Sequence, residues 1–412
     1  MTCRPALLAA LLLLSLGLGA CGSDDDSAPA TPPTLSVDSF DVPIADLPPA
    51  LQAAFDDGDI AFSTPLREAD GLGPVYTRSA CDSCHAEGLR GPGLVQKMSV
   101  VNADGVTASS DQSSLGFGHT VHPLVSGGGS TPVLPPDDPS VLVTTRLGPP
   151  ILGRGYMEAV LDSEIERVEK EQSQRTDGIS GRINRTAYQS AASAAPEFDP
   201  FEKGDVVIGR FGLKARIATL DDFVADAFQG DMGITSPMRP DEVPNPDGLT
   251  DDAKPGLDVG HASIQSRAMY VRLLEIPRRT DNKKGQELFE QTNCSVCHVA
   301  TLRTRSDYPV ALLAGIDAPV YTDFLLHDMG SELADGLPVG VDGDANGFEW
   351  RTAPLIGLRF DRTFMHDGRA HSVEQAIVMH RGPGSEANGS IDLFDALSAA
   401  DRDALIQFVE SL

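Results

Sequence analysis

The chain has 412 residues, with 60 acidic against 32 basic side chains and a formal net charge of −28. That balance excludes a nucleic-acid partner, because phosphate neutralisation needs clustered Lys and Arg; it suits a basic redox partner, or serves solubility alone. Hydrophobic residues at 41 % and charged residues at 22 % are those of a globular protein, the length predicts more than one core, and 40 Gly with 30 Pro predict many loops.

The N-terminus starts with Arg4, an apolar run from Ala6 to Leu18, and Leu18-Gly19-Ala20-Cys21. Residues 1–20 are read as a secretory signal, too short to span a bilayer. The Leu-Gly-Ala-Cys ending resembles the lipobox of bacterial lipoproteins, so Cys21 is expected to carry a lipid that is the protein's sole hold on the membrane. Residues 21–39 read as an acidic flexible tether, with too little apolar content to fold. With no acidic residue at Gly22 or Ser23, the expected address is the bacterial cell envelope, facing the periplasm and more on the outer membrane than the inner.

Of six cysteines, Cys3 leaves with the signal and Cys21 takes the lipid. The remaining four form Cys81-Asp82-Ser83-Cys84-His85 and Cys294-Ser295-Val296-Cys297-His298, both of the C-x-x-C-H form of c-type haem attachment. Two thiols on one turn add to the porphyrin vinyl groups, and the next histidine ligates the iron. A redox dithiol or half a zinc site has no need of that histidine, twice. Two covalently bound haem c groups are therefore expected, with no cysteine left for disulfides.

The fold is expected to be mainly α, as two cytochrome c-like haem domains without long alternating strands. The N-terminal domain, residues 40–281, holds helical stretches at 156–171 and 220–228 and a large irregular insertion. The C-terminal domain, 282–412, opens with a short helix at 284–289 that delivers Cys294. It closes with a helix capped by Ser398, with Asp401 three residues on, whose Leu405, Phe408, Val409 and Leu412 share one face.

Several side chains could serve the haems or simply pack. Arg351 and Arg369 suit haem propionates, which a guanidinium binds in bidentate fashion, or lie on the surface. His119 and His122 could cap the first haem; if neither does, its iron has an open position. Met232 and Met329 sit in glycine-flanked loops where a thioether could reach iron or fill a gap. Trp350, the single tryptophan, is a relay or packing. Glu158 is the candidate to move a proton during peroxide cleavage, or faces solvent.

The chain resembles the di-haem oxidoreductases of peroxidase or thiol-oxidoreductase type, distant relatives of bacterial di-haem cytochrome c peroxidases. The resemblance rests on Gly71-Leu72-Gly73-Pro74-Val75-Tyr76 leading into the first haem motif, on Asp177-Gly178-Ile179-Ser180-Gly181-Arg182, and on Gly209-Arg210-Phe211-Gly212-Leu213-Lys214-Ala215. It continues through Gly230-Asp231-Met232-Gly233-Ile234-Thr235-Ser236-Pro237, Leu325-Leu326-His327-Asp328-Met329-Gly330, Trp350-Arg351-Thr352-Ala353-Pro354-Leu355 and Phe364-Met365-His366-Asp367-Gly368-Arg369. Residues 100–145 depart from the pattern.

The resemblance implies two facing haem domains, one haem storing an electron and the other meeting a peroxide-like oxidant, with a redox protein as electron partner. It implies that the helix at 372–380 supplies the second haem's sixth ligand, His380 by position or else Met379. It makes His327, His366 and His371 structural, and it offers Asp177 to a calcium ion between the domains, although a tight turn explains that residue equally. Other readings are an electron carrier with both irons six-coordinate, or a haem pair that oxidises a thiol, a metal species or a protein side chain.

Overall fold

The computed structural model describes residues 33–412; residues 1–32, and with them the signal, Cys21 and most of the tether, lie outside the described residues. Helices dominate: α1 Pro49–Ser63, α2 Arg154–Ala159, α3 Asp162–Gln172, α4 Leu220–Met232, α5 His261–Leu273, α6 Lys283–Gln291, α7 Cys294–Cys297, α8 Val373–Val378, α9 Asn388–Asp395 and α10 Ala399–Glu410. The strands are β1 Val75–Tyr76, β2 Leu94–Val100, β3 Leu124–Val125, β4 Val141–Leu147, β5 Arg185–Ala187, β6 Val206–Ile208, β7 Leu302–Arg303, β8 Asp317–Ala318, β9 Leu326–Asp328 and β10 Glu349–Arg351. They pair as five two-stranded antiparallel ribbons, β1–β3, β2–β4, β5–β6, β7–β8 and β9–β10.

Local chemistry explains the helix ends. Thr219 caps α4 by accepting the Asp222 N–H, and Gly233 closes it in the left-handed conformation at φ +69°. Ser398 caps α10 by accepting the Asp401 N–H, as its sequence predicts. The single helix expected at 156–171 is instead two, because Val160 and Leu161 are extended. Arg210 explains the break: its guanidinium donates to the carbonyls of Met157, Glu158 and Val160, satisfying the acceptors that α2 leaves free.

The ribbon β2–β4 is the second departure from expectation, with seven paired residues from Leu94 opposite Leu147 to Val100 opposite Val141. It lies in the stretch whose sequence looked irregular. On its other edge β2 also meets residues 119–121, through the Met98 N–H on the His119 carbonyl and the Val121 N–H on the Gln96 carbonyl.

The largest core joins α1, α2, α3 and α5 to the segment from Leu302 to Leu325, through side chains such as Phe55, Tyr156, Ile165, Tyr270 and Phe324. A second core packs Leu288 and Phe289 of α6 against Leu405, Phe408 and Val409 of α10, with Leu412 beside them. The face read from the sequence of the last helix is therefore the buried one.

Candidate functional site

Each C-x-x-C-H segment folds as one tight turn beside a large cavity. In the first, the amides of Cys84 and His85 both donate to the Cys81 carbonyl at 3.0 Å. In the second, α7, the His298 amide donates to the Cys294 carbonyl at 3.0 Å. The turns bring both thiols of each motif to one side, and all four cysteines are free.

His85, Cys81 and Cys84 line a cavity of about 910 Å³, cavity 1. His298, Cys294 and Cys297 line one of about 1540 Å³, cavity 2. His85 Nδ1 lies 2.7 Å from the Pro149 carbonyl and His298 Nδ1 lies 3.2 Å from the Tyr321 carbonyl. A carbonyl only accepts, so Nδ1 carries the proton and Nε2 keeps its lone pair. Burial pushes each ring down to about 4, leaving both neutral near pH 7. A neutral imidazole held by its second nitrogen is a metal ligand with a fixed tautomer.

Cavity 2 contains a third imidazole of the same kind. His380, at the end of α8, places Nδ1 2.7 Å from the Ala376 carbonyl. Its ring centroid lies 6.5 Å from that of His298. Metal–imidazole bonds are about 2 Å, so this separation suits one metal between two rings. Met379 does not line the cavity, whereas Met329 does.

His327 is also in the wall of cavity 2, held by Glu386 Oε2 at 2.8 Å and Asp323 Oδ2 at 3.0 Å, a satisfied histidine as expected. His366 stacks on Trp350 with ring centroids 3.9 Å apart, and Trp350 Nε1–H donates to the Leu333 carbonyl at 2.8 Å. Lys214 Nζ lies 4.5 Å and Arg146 Cζ 5.5 Å from the indole centroid. These cations oppose removal of an electron from the ring, so Trp350 is better suited to packing than to relay. His371 is exposed and does not line the cavity.

Between the cavities lies a cluster of buried arginines. Arg154 lines cavity 1, Arg90 lines cavity 2 and Arg351 lines both. Among the described residues Arg154 and Arg351 form no ion pair, and Arg90 reaches only Asp361, at 3.8 Å. Burial, then repulsion from Arg351 and Arg90, pushes Arg154 down to about 9; burial brings Arg351 to about 10. Buried charges without counter-charges are costly. Acidic groups of a bound cofactor, such as propionates, would supply what the protein lacks.

Five expected site residues lie elsewhere. Arg369 is half-exposed and pairs with Asp367 Oδ2 at 2.6 Å, lining neither cavity. Glu158 is buried, yet in the scaffold: it binds Arg272 Nε at 2.7 Å, the Leu220 N–H at 2.7 Å and the Tyr308 hydroxyl at 2.6 Å. Burial would raise its carboxyl, but the Arg272 charge and these hydrogen bonds together hold it below the usual range, the opposite of a poised proton donor. His119 and His122 bind the carbonyls of Met98 and Gly230, and neither lines cavity 1. Asp177 is committed to Arg175, which leaves its carboxylate poorly suited to calcium.

Met232 does line cavity 1, and its neighbour Asp231 lines it too, with a carboxyl that burial pushes up to about 6. Sequence reasoning weighed only Met232 there. Nothing in the sequence marks Arg90 and Arg154 as buried; Asp231 could have been found within the Gly230-Asp231-Met232-Gly233 motif.

Residues 132–412 match the family described as "Di-haem oxidoreductase, putative peroxidase". No protein with a curated description matches the chain in sequence. Among solved structures, it is similar to hydrazine synthase of Kuenenia stuttgartiensis at 13 % identity and a TM-score of 0.37, over 99 % of this chain and 100 % of that one. It is similar also to the diheme peroxidase BthA of Burkholderia thailandensis at 14 % identity and a TM-score of 0.39, over 93 % and 95 % of the two chains.

Proposed function

The chain belongs to the di-haem oxidoreductase family, and from that premise we propose that it is a c-type cytochrome enzyme that reduces a peroxide with electrons from a redox protein. One haem would be attached at Cys81 and Cys84 with His85 as ligand, the other at Cys294 and Cys297 with His298. The observation that carries this reading is the repeated pair of buried neutral imidazoles, each tethered through Nδ1 to a carbonyl and lining a cavity beside two thiols. In this reading residues 40–281 and 282–412 are the two haem domains, and the lipid on Cys21 holds the protein in the cell envelope.

The cavities differ in what they offer an iron. His380 supports a six-coordinate iron in cavity 2, whereas among the described residues His85 is the one histidine lining cavity 1. We therefore assign the oxidant to cavity 1. A bound haem supplies electron exchange and an iron position for the oxidant. The protein's part is to bind the propionates through Arg351, Arg154 and Arg90, to exclude water with Phe211, Phe223 and Phe228, and to offer the Asp231 carboxyl, pushed up to about 6, as a proton relay. Reduction of hydrogen peroxide to two waters consumes two electrons and two protons, and a buried carboxyl in the cavity wall can pass one of them on.

Met232 favours a second reading, since a thioether in the wall of cavity 1 could close the iron and leave a plain electron carrier. Electron paramagnetic resonance of the oxidised and half-reduced protein separates the two. A high-spin signal that changes with added peroxide is expected from the enzyme; two low-spin signals indifferent to peroxide in both states would leave the carrier.

A further inference from the structure

Away from both cavities, the loop between α4 and α5 gathers acidic side chains. One carboxylate oxygen from each of Glu242, Asp251 and Asp252 lies within 4.8 Å of the others. Acidic clusters are common on surfaces, and proximity alone points to nothing.

Asp258 adds an independent observation. It is 5 % exposed, and its Oδ2 accepts both the N–H and the hydroxyl of Thr235 at 2.7 Å, while its Oδ1 has no partner. Asp252 Oδ2 and Glu242 Oε2 are likewise buried and without partners. An uncompensated buried carboxylate oxygen is costly, and a native protein rarely leaves three together.

Two of the orphan oxygens lie against glycines of neighbouring turns. A Cβ at Gly71, which has φ +97°, would fall 2.2 Å from Asp258 Oδ1. A Cβ at Gly127 would fall 3.2 Å from Asp252 Oδ2 and 3.1 Å from the carbonyl oxygen of Leu72. Asp258 thus lies against Gly71, while Asp252 and the neutral oxygen of the Leu72 carbonyl both lie against Gly127. Of the three other acids, Asp258 acts most strongly on the Glu242 carboxyl, followed by Asp252 and Asp251. No Arg or Lys forms an ion pair with any of the four among the described residues. The nearest cation, Lys254, spends its ammonium on the backbone carbonyls of Asp258 and Asp70.

We propose that Glu242, Asp251 and Asp252, backed by the buried Asp258 and the Leu72 carbonyl, form a binding site for a calcium ion that pins the α4–α5 loop beside the segment at Gly71 and Leu72. Calcium accepts six to eight oxygen ligands in irregular geometry, with carboxylates binding through one or both oxygens, whereas magnesium demands a near-ideal octahedron. None of the four acids lines either cavity. The site is therefore independent of the haem reading.

The test is calorimetric titration of the full haem-loaded protein, stripped with chelator, using Ca²⁺ and separately Mg²⁺. One Ca²⁺ per chain, bound at least tenfold more tightly than Mg²⁺, is expected. Glu242→Gln and Asp252→Asn should each weaken binding tenfold or more, while Asp177→Asn should leave it unchanged. Thermal unfolding guards against a variant that merely misfolds. In chelator, Glu242→Gln should unfold at a higher temperature than the unaltered protein, because repulsion is relieved, and Ca²⁺ should stabilise only the unaltered protein. No uptake at millimolar Ca²⁺, or uptake that survives both substitutions together, would overturn the proposal.

Discussion

Cavity 2 is built largely from its own neighbourhood, whereas cavity 1 is assembled from segments far apart in the chain. His298, Tyr321, His380 and the core of α6 and α10 all lie within the last 130 or so residues. His85 is held by Pro149, and its cavity is completed by Leu220, Phe228, Met232 and Arg351. The compact cavity has a second imidazole in place; the dispersed one has a single imidazole, a thioether and a carboxyl. A site made of distant segments can change one wall without disturbing the others, which suits the cavity to which we assign the oxidant.

The comparison breaks most visibly at the cysteines. Replacing Cys294 and Cys297 with Ala should leave one covalent haem per chain, as should replacing Cys81 and Cys84, measured by pyridine haemochrome absorbance and intact mass. Retention of two covalent haems in either variant would refute the attachment sites.

Next in size is Glu158→Gln, which separates scaffold from site. Removing one member of the buried set of Glu158, Arg272, Asp221 and Tyr308 should cost about 3–5 kcal/mol in denaturant unfolding. The haem spectra should stay unchanged; a spectral change at cavity 1 would return Glu158 to the site.

His380→Ala sharpens the contrast between the irons. It should convert one low-spin signal to high spin and leave the other alone. Arg351→Leu should do the reverse of a local change, since that side chain lines both cavities: both midpoint potentials should fall in a redox titration, because a cation that favours the reduced iron is lost. A shift at one haem alone would show that the arginine serves one cavity.

The effect at Asp199, remote from both cavities, shows only with pH; there Tyr188 donates to Oδ2 at 2.5 Å. Burial pushes this carboxyl up to about 7, against about 3.9 in an unfolded chain. Between those values the folded state keeps a proton that the unfolded state has released, so stability falls as pH rises from 4 to 7. Asp199→Asn should therefore melt above the unaltered protein at pH 8 and level with it near pH 4.

What could be read from the sequence divides along the same line. The two C-x-x-C-H turns, the closing helix with its Ser398 cap and buried face, and the helix that carries His380 were legible because each signal is local. Glu158 and Arg369 were misplaced because an ionisable residue carries no mark of its tertiary partner: Glu158 meets Arg272, 114 residues away. The break between α2 and α3 depends on Arg210, some fifty residues on. The arginine cluster escaped notice for the same reason, since burial of Arg90 and Arg154 arises only when separate segments close over them.

The ribbon β2–β4 has one more consequence. Its register fixes the position of Pro149, two residues beyond β4, whose carbonyl orients His85. Past the far end of the ribbon, residues 102–107 form a turn closed by the Asn102 N–H on the Thr107 carbonyl at 2.8 Å. Doubling the length of such a loop costs only about 0.6 kcal/mol. The exposed turn at Asp104 and Gly105 is accordingly a place to graft a foreign peptide, such as an affinity tag, without moving the ligand that the ribbon holds.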